Sequence, residues 1–310
     1  MTKIAIQGVH GCSHEQAARL FYGNEIDVCE CLNFEDLFTN LNAGQADGAI
    51  MAIENTVAGG LLPNYSLLRK YGRKIKGEVF IRIQQNLMAL PGQRIEDITE
   101  VHSHYMAIAQ TREFFKQYPH IRLVESEDTA KSAADIAVTH QMKTGAIASS
   151  LAAELFGLEI LQREIETHKQ NYTRFLILDE HIQVNEKDID KASICFTLPH
   201  KTGRLSQVLS IFSFYDLNLT KIQSLPIPGK EWQYFFYVDY GFTTVDIEEA
   251  ALKSEAMKRS YVNFVMADHT KFDKMTAVTF ATLTGGSIIT DVVLNPKYKD
   301  ATIIKEVKGL

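Results

Sequence analysis

The sequence predicts an α/β protein in which a two-lobed domain is followed by a smaller module of ferredoxin-like βαββαβ order. Three observations lead there. From residue 3 to about 180, short apolar runs alternate with helix-period segments, the pattern of βαβ units around mostly parallel sheets. A long β-type stretch over 75–90 and a return strand over 173–178 supply two crossings between lobes, and the cleft between lobes is a common place for a small molecule. After the polar stretch from Asn185 to Asp190 the pattern restarts as strand, helix, strand, strand, helix, strand. The boundaries that follow are 1–182 for the first domain, with lobe 1 at 1–86 and 162–182 and lobe 2 at 87–161. The module spans 190–266, and 267–310 is an extension.

The first strand, Lys3 to Gln7, ends in Gly8-Val9-His10-Gly11, and Ser13-x-x-Gln16 reads as a capping box for a helix to about Tyr22. Asn33 is a good N-cap for the next helix, which ends near Gly44. Strand Gly48 to Ile53 runs into the flexible loop Glu54-Asn55-Thr56-Val57-Ala58-Gly59-Gly60, at the strand edge where open α/β sheets bind ligands. Lobe 2 then holds a helix over Met106 to Lys116, a strand over Ile121 to Glu125, a helix capped by Asp128 and a strand over Gly145 to Ala148. In the module, strands are expected at Ala192 to Leu198, Leu219 to Leu225, Trp232 to Tyr240 and Tyr261 to Met266, with helices at Gly203 to Tyr215 and Asp246 to Lys258.

Composition narrows the function. Among 310 residues, 45% are hydrophobic and 23% charged, enough apolar content for substantial cores. A formal charge of -6 gives no basic footprint for nucleic acid, so none is expected as a partner. No apolar run reaches the ~18 residues of a membrane span, and the opening residues carry no leader pattern, so the expectation is a cytoplasmic protein with no membrane partner. The four cysteines, Cys12, Cys29, Cys31 and Cys195, lack C-x-x-C spacing and are expected as reduced thiols.

Three polar clusters stand at strand ends: Glu54-Asn55-Thr56, His102-Ser103-His104 with Gln110, and Asn171-x-Thr173-Arg174-Phe175. Each alone is an ordinary turn or strand start. Gly8-x-x-Gly11 lacks the third glycine of a dinucleotide loop, so no nicotinamide cofactor is expected, and His102 with His104 lacks a third ligand for a metal.

In combination these residues resemble the prephenate dehydratase family over about 3–240. Thr173-Arg174-Phe175 stands at the family's Thr-Arg-Phe signature with Asn171 before it. Ile53-Glu54-Asn55-Thr56 is similar to its Ile-Glu-Asn-Ser segment, with Thr for Ser. Ser103-His104 and Gln110 follow its Ser-His-x-Gln-Ala segment, with Met106 for the first Gln. Gly8-x-x-Gly11-x-Ser13-x-Glu15-Gln16-Ala17-Ala18 and Gly145-Ala146-Ile147-Ala148-Ser149 match two further segments. The resemblance implies a two-lobed, periplasmic-binding-protein-like catalytic domain that turns prephenate into phenylpyruvate without a cofactor or metal. Thr173 would be the hydroxyl donor to the leaving group and Arg174 would bind or orient a carboxylate. Asn55, Ser103 and Gln110 would supply neutral donors, and Thr56, Asn171 and Phe175 would complete the substrate site. Helix N-termini after Ser13 and Ser149 would hold the second carboxylate. Glu54 would either orient its neighbours or carry a raised pKa, because an ionised carboxylate repels a dianion.

The module from 192 to about 240 resembles an ACT regulatory domain, which implies phenylalanine as effector and homodimers or homotetramers. Its effector-site segments correspond here to Gly203, Leu205, Asn218, Gln223 and Ser224. Gln223-Ser224-Leu225-Pro226 departs from the family's Glu-Ser-Arg-Pro. Residues of about 250–310, including Glu255 to Ser260, Ala267 to Phe272 and Ile288 to Asp291, resemble instead the C-terminal part of a DeoR-type regulator. Two rival functions are an arogenate dehydratase, acting on the amino-acid analogue of prephenate, and a non-catalytic small-molecule-binding or regulatory protein.

Overall fold

A computed structural model describes residues 1–183, 189–198, 200–214, 218–241, 259–262 and 288–289. The helix expected at 246–258, the end of the strand expected at 261–266, and nearly all of the 267–310 extension lie outside the described residues. The described chain falls into two compact units, Met1–Leu67 with Val79–Leu176, and Leu68–Glu78 with the described residues from Ile177 onward.

The first unit holds two sheets. β1 (Thr2–Gln7) pairs in parallel with β2 (Ile26–Cys31) on one side and β3 (Gly48–Asn55) on the other, Ile4 standing opposite Val28 and Gly48. Its Ile4, Ala5 and Ile6 are all fully buried, as a parallel strand covered on both faces requires. The crossovers are α1 (Ser13–Tyr22) and α2 (Phe34–Asn42). Asn33 caps α2 as expected: its side chain accepts the Asp36 N–H at 3.0 Å while Asp36 accepts the Asn33 N–H at 3.3 Å. Ser13 does not cap α1. It is the first helical residue, behind Cys12 at the cap, and the Glu15 carboxylate reaches back to the Gly11 N–H at 2.7 Å to satisfy that end of the chain.

After β3 the chain turns through β4 (Gly59–Gly60) and α3 (Leu62–Tyr71) into β5 (Ile75–Arg82), whose last four residues belong to this unit. The long stretch expected over 75–90 is two strands, β5 and β6 (Asn86–Ala89). They part at Ile83–Gln85 because that backbone bonds elsewhere. The Ile83 N–H donates to Asn171 O and the Ile165 N–H to Gln85 O, both at 2.7 Å.

The second sheet comprises β6, β7 (Glu100–His104), β8 (Arg122–Ser126), β9 (Thr144–Ala148) and β10 (Glu159–Gln162), in the order β10-β6-β9-β7-β8. Parallel β8-β7-β9 pairing is joined by antiparallel β6 and β10. Helices α4 (Tyr105–Phe115), α5 (Thr129–Thr139) and α6 (Ser150–Phe156) connect its strands, and Asp128 caps α5 by accepting the Lys131 N–H at 2.9 Å. Leu87, Ile98, Val101, Ile108, Phe115 and Ile147 make its core. β11 (Tyr172–Asp179), buried throughout, then returns beside β3 in the first sheet.

In the second unit, β12 (Ile189–Thr197), α7 (Arg204–Phe214), β13 (Asn218–Pro226) and β14 (Tyr234–Gly241) follow in order, with β14 antiparallel to both β12 and β13. These are the first four elements of the expected βαββαβ order. Ala192, Ile194, Phe196, Val238 and Tyr240 share a buried face where Phe212 of α7 meets Tyr240 edge-on at 5.3 Å. The opposite face carries Lys191, whose ammonium stands 3.1 Å from both Glu78 oxygens. β15 (Arg259–Val262) lies parallel to β12, whereas a fourth ferredoxin-like strand runs antiparallel, and β16 (Ile288–Ile289) pairs β12 at Cys195 and Phe196. A short segment finds ladder partners on a strand edge in either direction.

Candidate active site

The ends of β3 and β11 bring two of the three sequence clusters together. Asn55 closes β3 and, being half-buried, folds its side chain over the turn that follows: its Oδ1 accepts the backbone N–H groups of Val57 at 2.9 Å and Ala58 at 2.7 Å. Those two donors leave no choice of amide orientation, so Nδ2 faces the neighbouring strand. There it donates to Asn171 Oδ1 at 2.7 Å and to Thr173 Oγ1 at 2.9 Å. Asn171 Nδ2 in turn donates to Gln110 Oε1 at 3.1 Å, and Gln85 Nε2 reaches the same oxygen at 3.3 Å. The result is a chain of neutral amides ending on a hydroxyl that already accepts a hydrogen bond. Thr173 therefore has its own proton to give, and no acceptor takes it among the described residues.

Thr56 seals the strand ends. Its N–H donates to Tyr172 O at 2.9 Å, its hydroxyl donates to Gln170 O at 3.0 Å, and the same oxygen accepts the Tyr172 N–H at 2.9 Å. Beside it lies a hollow of about 620 Å³ lined by Thr56, Val57, Thr167, His168, Lys169 and Gln170.

Strand alternation separates the remaining residues of these clusters. Arg174 points to the opposite face of β11 from Thr173, is almost wholly buried, and has Nη1 3.7 Å from Glu54 Oε2. Glu54 is thus turned from Thr173 toward a guanidinium. Phe175 returns to the Thr173 face but is only 1% exposed, its ring edge-on to His14 at 5.0 Å, so it packs in the core.

The second cluster is split. Gln110 joins the network, whereas Ser103 is fully buried and donates to Ile147 O at 2.7 Å, tying β7 to β9. His104 accepts the Met106 N–H at 3.3 Å at the start of α4, and His102 stands 3.2 Å from Glu100. Ser149 donates to Gly11 O at 2.6 Å and accepts the Ala152 N–H at 3.0 Å, so its hydroxyl docks the loop after β1 onto α6. That approach explains the glycine: Gly11 has φ +84°, and a Cβ there would stand 2.8 Å from Ala152 Cα. Ser13 is half-buried in the first turn of α1. In the second unit, Gly203 and Leu205 at the start of α7 lie at the same end of the module as Gln223 and Ser224, while Asn218 opens β13 at the other end.

Sequence reasoning missed Gln85, Glu166, Lys169 and His14. Gln85 and Glu166 sit in unpatterned polar stretches. His14 follows the cap of α1; its Nε2 accepts the Ala52 N–H at 3.3 Å, and burial pushes its pKa down to about 3, which keeps the ring neutral. All four cysteines are free, and burial raises the Cys12 thiol to about 12, which makes it unreactive. Among the described residues no helix is long and apolar enough to cross a membrane.

The described residues thus make a mixed α/β fold in which a chain of neutral amides meets a strand-end hydroxyl. The chain belongs to the prephenate dehydratase family, whose model matches residues 4–183, and it is a lyase of the dehydratase type. It is 34% identical over 262 residues to a bifunctional chorismate mutase/prephenate dehydratase of Aquifex aeolicus, covering 84% of this chain and 71% of that one. It is 36% identical over 281 residues to arogenate dehydratase 5 of Arabidopsis thaliana, covering 85% and 65%. Among solved structures, the prephenate dehydratase of Arthrobacter aurescens in complex with L-Phe superposes with a TM-score of 0.67 at 25% identity, covering 91% and 96%. A protein described as a novel type of quorum quenching acylase, GqqA, superposes with a TM-score of 0.70 at 27% identity, covering 84% and 97%.

Proposed function

We propose that this enzyme converts prephenate to phenylpyruvate. The ring carboxylate leaves as carbon dioxide, the electron pair of its bond enters the ring, and the hydroxyl opposite departs as water as the ring becomes aromatic. The protein has to protonate or strongly hydrogen-bond the departing oxygen and to hold the carboxylates. One observation carries the assignment: Asn55 Nδ2 donates to Thr173 Oγ1, which leaves the hydroxyl proton for the leaving group and polarises its bond. A Thr hydroxyl is a weak acid, so it gives its proton only as the C–O bond breaks, and solvent water restores it.

Asn171 and Gln110 extend the set of neutral donors, and the Nε2 group of Gln110 has no hydrogen-bond partner among the described residues. Thr56, with the hollow beside it, forms the approach to the site, and Ser13 and Ser149 mark helix starts suited to a carboxylate. Arg174, expected to bind or orient a carboxylate of the substrate, lies on the face of β11 opposite Thr173 and stands against Glu54 there, behind the reacting face. No metal or cofactor is assigned a role.

The catalytic domain is assigned to 1–182 with its two lobes, and 190–266 to an ACT domain that senses phenylalanine through Gly203, Leu205, Asn218, Gln223 and Ser224. Support comes from the strand, helix, strand, strand order of β12 to β14 and from the L-Phe bound by the Arthrobacter relative. The assembly is a cytoplasmic homodimer or homotetramer. The test incubates purified protein with prephenate, and in parallel with arogenate, while phenylpyruvate and phenylalanine are followed. Turnover of prephenate is expected; preference for arogenate would transfer the assignment to that substrate, and reaction of neither would end it.

A further inference from the structure

We infer that Glu166 is a positioning residue for the reaction, acting through Gln85 on the amide chain that ends at Thr173. The inference rests on the reading of Thr173 given above. Glu166 is a carboxylate with 2% exposure in a segment no motif marks, and such burial requires paid-up partners. Its Oε2 accepts the Gln85 backbone N–H at 2.9 Å. Its Oε1 lies 3.3 Å from Arg82 Nη2 and 3.9 Å from Lys169 Nζ. The Gln85 carbonyl is held from the same segment by the Ile165 N–H at 2.7 Å, so both backbone polar groups of Gln85 are clamped.

Only the Gln85 side chain is left to act outward. It donates to Gln110 Oε1, the oxygen that also receives Asn171 Nδ2. Two donors converging on one oxygen fix the Gln110 amide with Oε1 inward and Nε2 outward. Thr167, next to Glu166, secures the Gln110 backbone: its N–H and hydroxyl donate to Gln110 O at 2.9 and 3.0 Å. The 165–167 segment thereby sets both the backbone and the amide direction of Gln110. A carboxylate buried beside an arginine could simply brace the fold. The hydrogen bonds that link it through Gln85 to Gln110, where the donations from Asn55 through Asn171 also end, give it a second consequence, on rate.

The two roles separate by substitution. Glu166→Gln keeps an oxygen for the Gln85 N–H but removes the charge that Arg82 faces, whereas Glu166→Ala removes both. Both variants are expected to lower the thermal midpoint. Only Glu166→Ala is expected to lower kcat for prephenate, by at least tenfold with KM within threefold of the parent enzyme. Gln85→Met is expected to lower kcat comparably, and adding Glu166→Ala to it to change kcat less than threefold further. Three results would each overturn the inference: kcat of Glu166→Ala within twofold of the parent, equal losses in the Gln and Ala variants, or an undiminished loss in the Gln85→Met background. If Glu166→Ala yields no folded protein, Gln85→Met alone decides, a tenfold loss supporting the relay and an unchanged kcat refuting it. Full activity in Thr173→Ala would instead sink the underlying assignment, so the two failures are distinguishable.

Discussion

Asn55 Nδ2 lies 2.9 Å from Thr173 Oγ1, and because Asn55 Oδ1 is occupied by two backbone N–H groups, the direction of this hydrogen bond is set: the amide gives and the hydroxyl receives. Residues 118 positions apart in the chain are thus joined so that Asn55 does not take the Thr173 proton.

Reversing that direction is the first prediction. Asn55→Asp preserves shape and the turn over Val57 and Ala58, but replaces the donor by an acceptor. Thr173 would then give its proton to the carboxylate and lose it for the leaving group. A fall in kcat of roughly 100-fold or more is expected, the scale of a lost general acid or oxyanion donor. Asn55→Ala should add a stability loss of about 1–2 kcal/mol, because two turn N–H groups lose their acceptor. Steady-state kinetics with denaturant unfolding would separate the effects.

Gly11 tests the docking of the loop after β1. An alanine there would meet Ala152 Cα at 2.8 Å in a backbone conformation with φ +84°. Ala152 Cα is backbone and not a movable side-chain end, so Gly11→Ala is expected to destabilise the first unit by roughly 2 kcal/mol or more. A variant that unfolds at the parental denaturant midpoint would show that α6 and the loop are not in this close contact.

His14 predicts acid sensitivity. Its folded pKa is depressed to about 3 from an ordinary value of 6.5, so the unfolded chain binds the extra proton between those values. Stability is then complete above about pH 6.5 and is lost with a one-proton slope as pH falls toward 3. His14→Gln should flatten that part of the stability curve. An identical pH dependence in the variant would show that another group governs acid unfolding.

The Glu78–Lys191 pair is nearly wholly buried, with side-chain exposures of 0% and 4%. Lys191→Met should cost roughly 3 kcal/mol, because it removes the ammonium that stands 3.1 Å from the buried carboxylate, while Glu78→Leu with Lys191→Met should recover most of that loss. Equal destabilisation in the single and double variants would deny the pair its coupling.

The first unit was legible because its elements are built on local signals. Buried runs such as Ile4 to Ile6, and caps such as Asn33 and Asp128, carry their periodicity and hydrogen-bonding chemistry in a few adjacent residues. The strand ends were legible as polar breaks, Asn55 after an apolar run and Thr173 before one. What escaped depends on distant partners. Ser103 looks like a ligand donor until Ile147 O is seen to take its proton, and Ser13 looks like a cap until Glu15 supplies the bond. Arg174 follows Thr173 in the chain, yet alternation sends it to the other face. Gln85 and Glu166 matter only through contacts some 80 residues apart, for which no local pattern exists.

The most direct measurement is kcat for prephenate in Thr173→Val, which keeps the side-chain shape and removes only the hydroxyl. A loss of about 100-fold or more, with the unfolding midpoint close to that of the parent protein, is the predicted outcome. Turnover at the parental rate would show that the departing oxygen takes its proton from some other group.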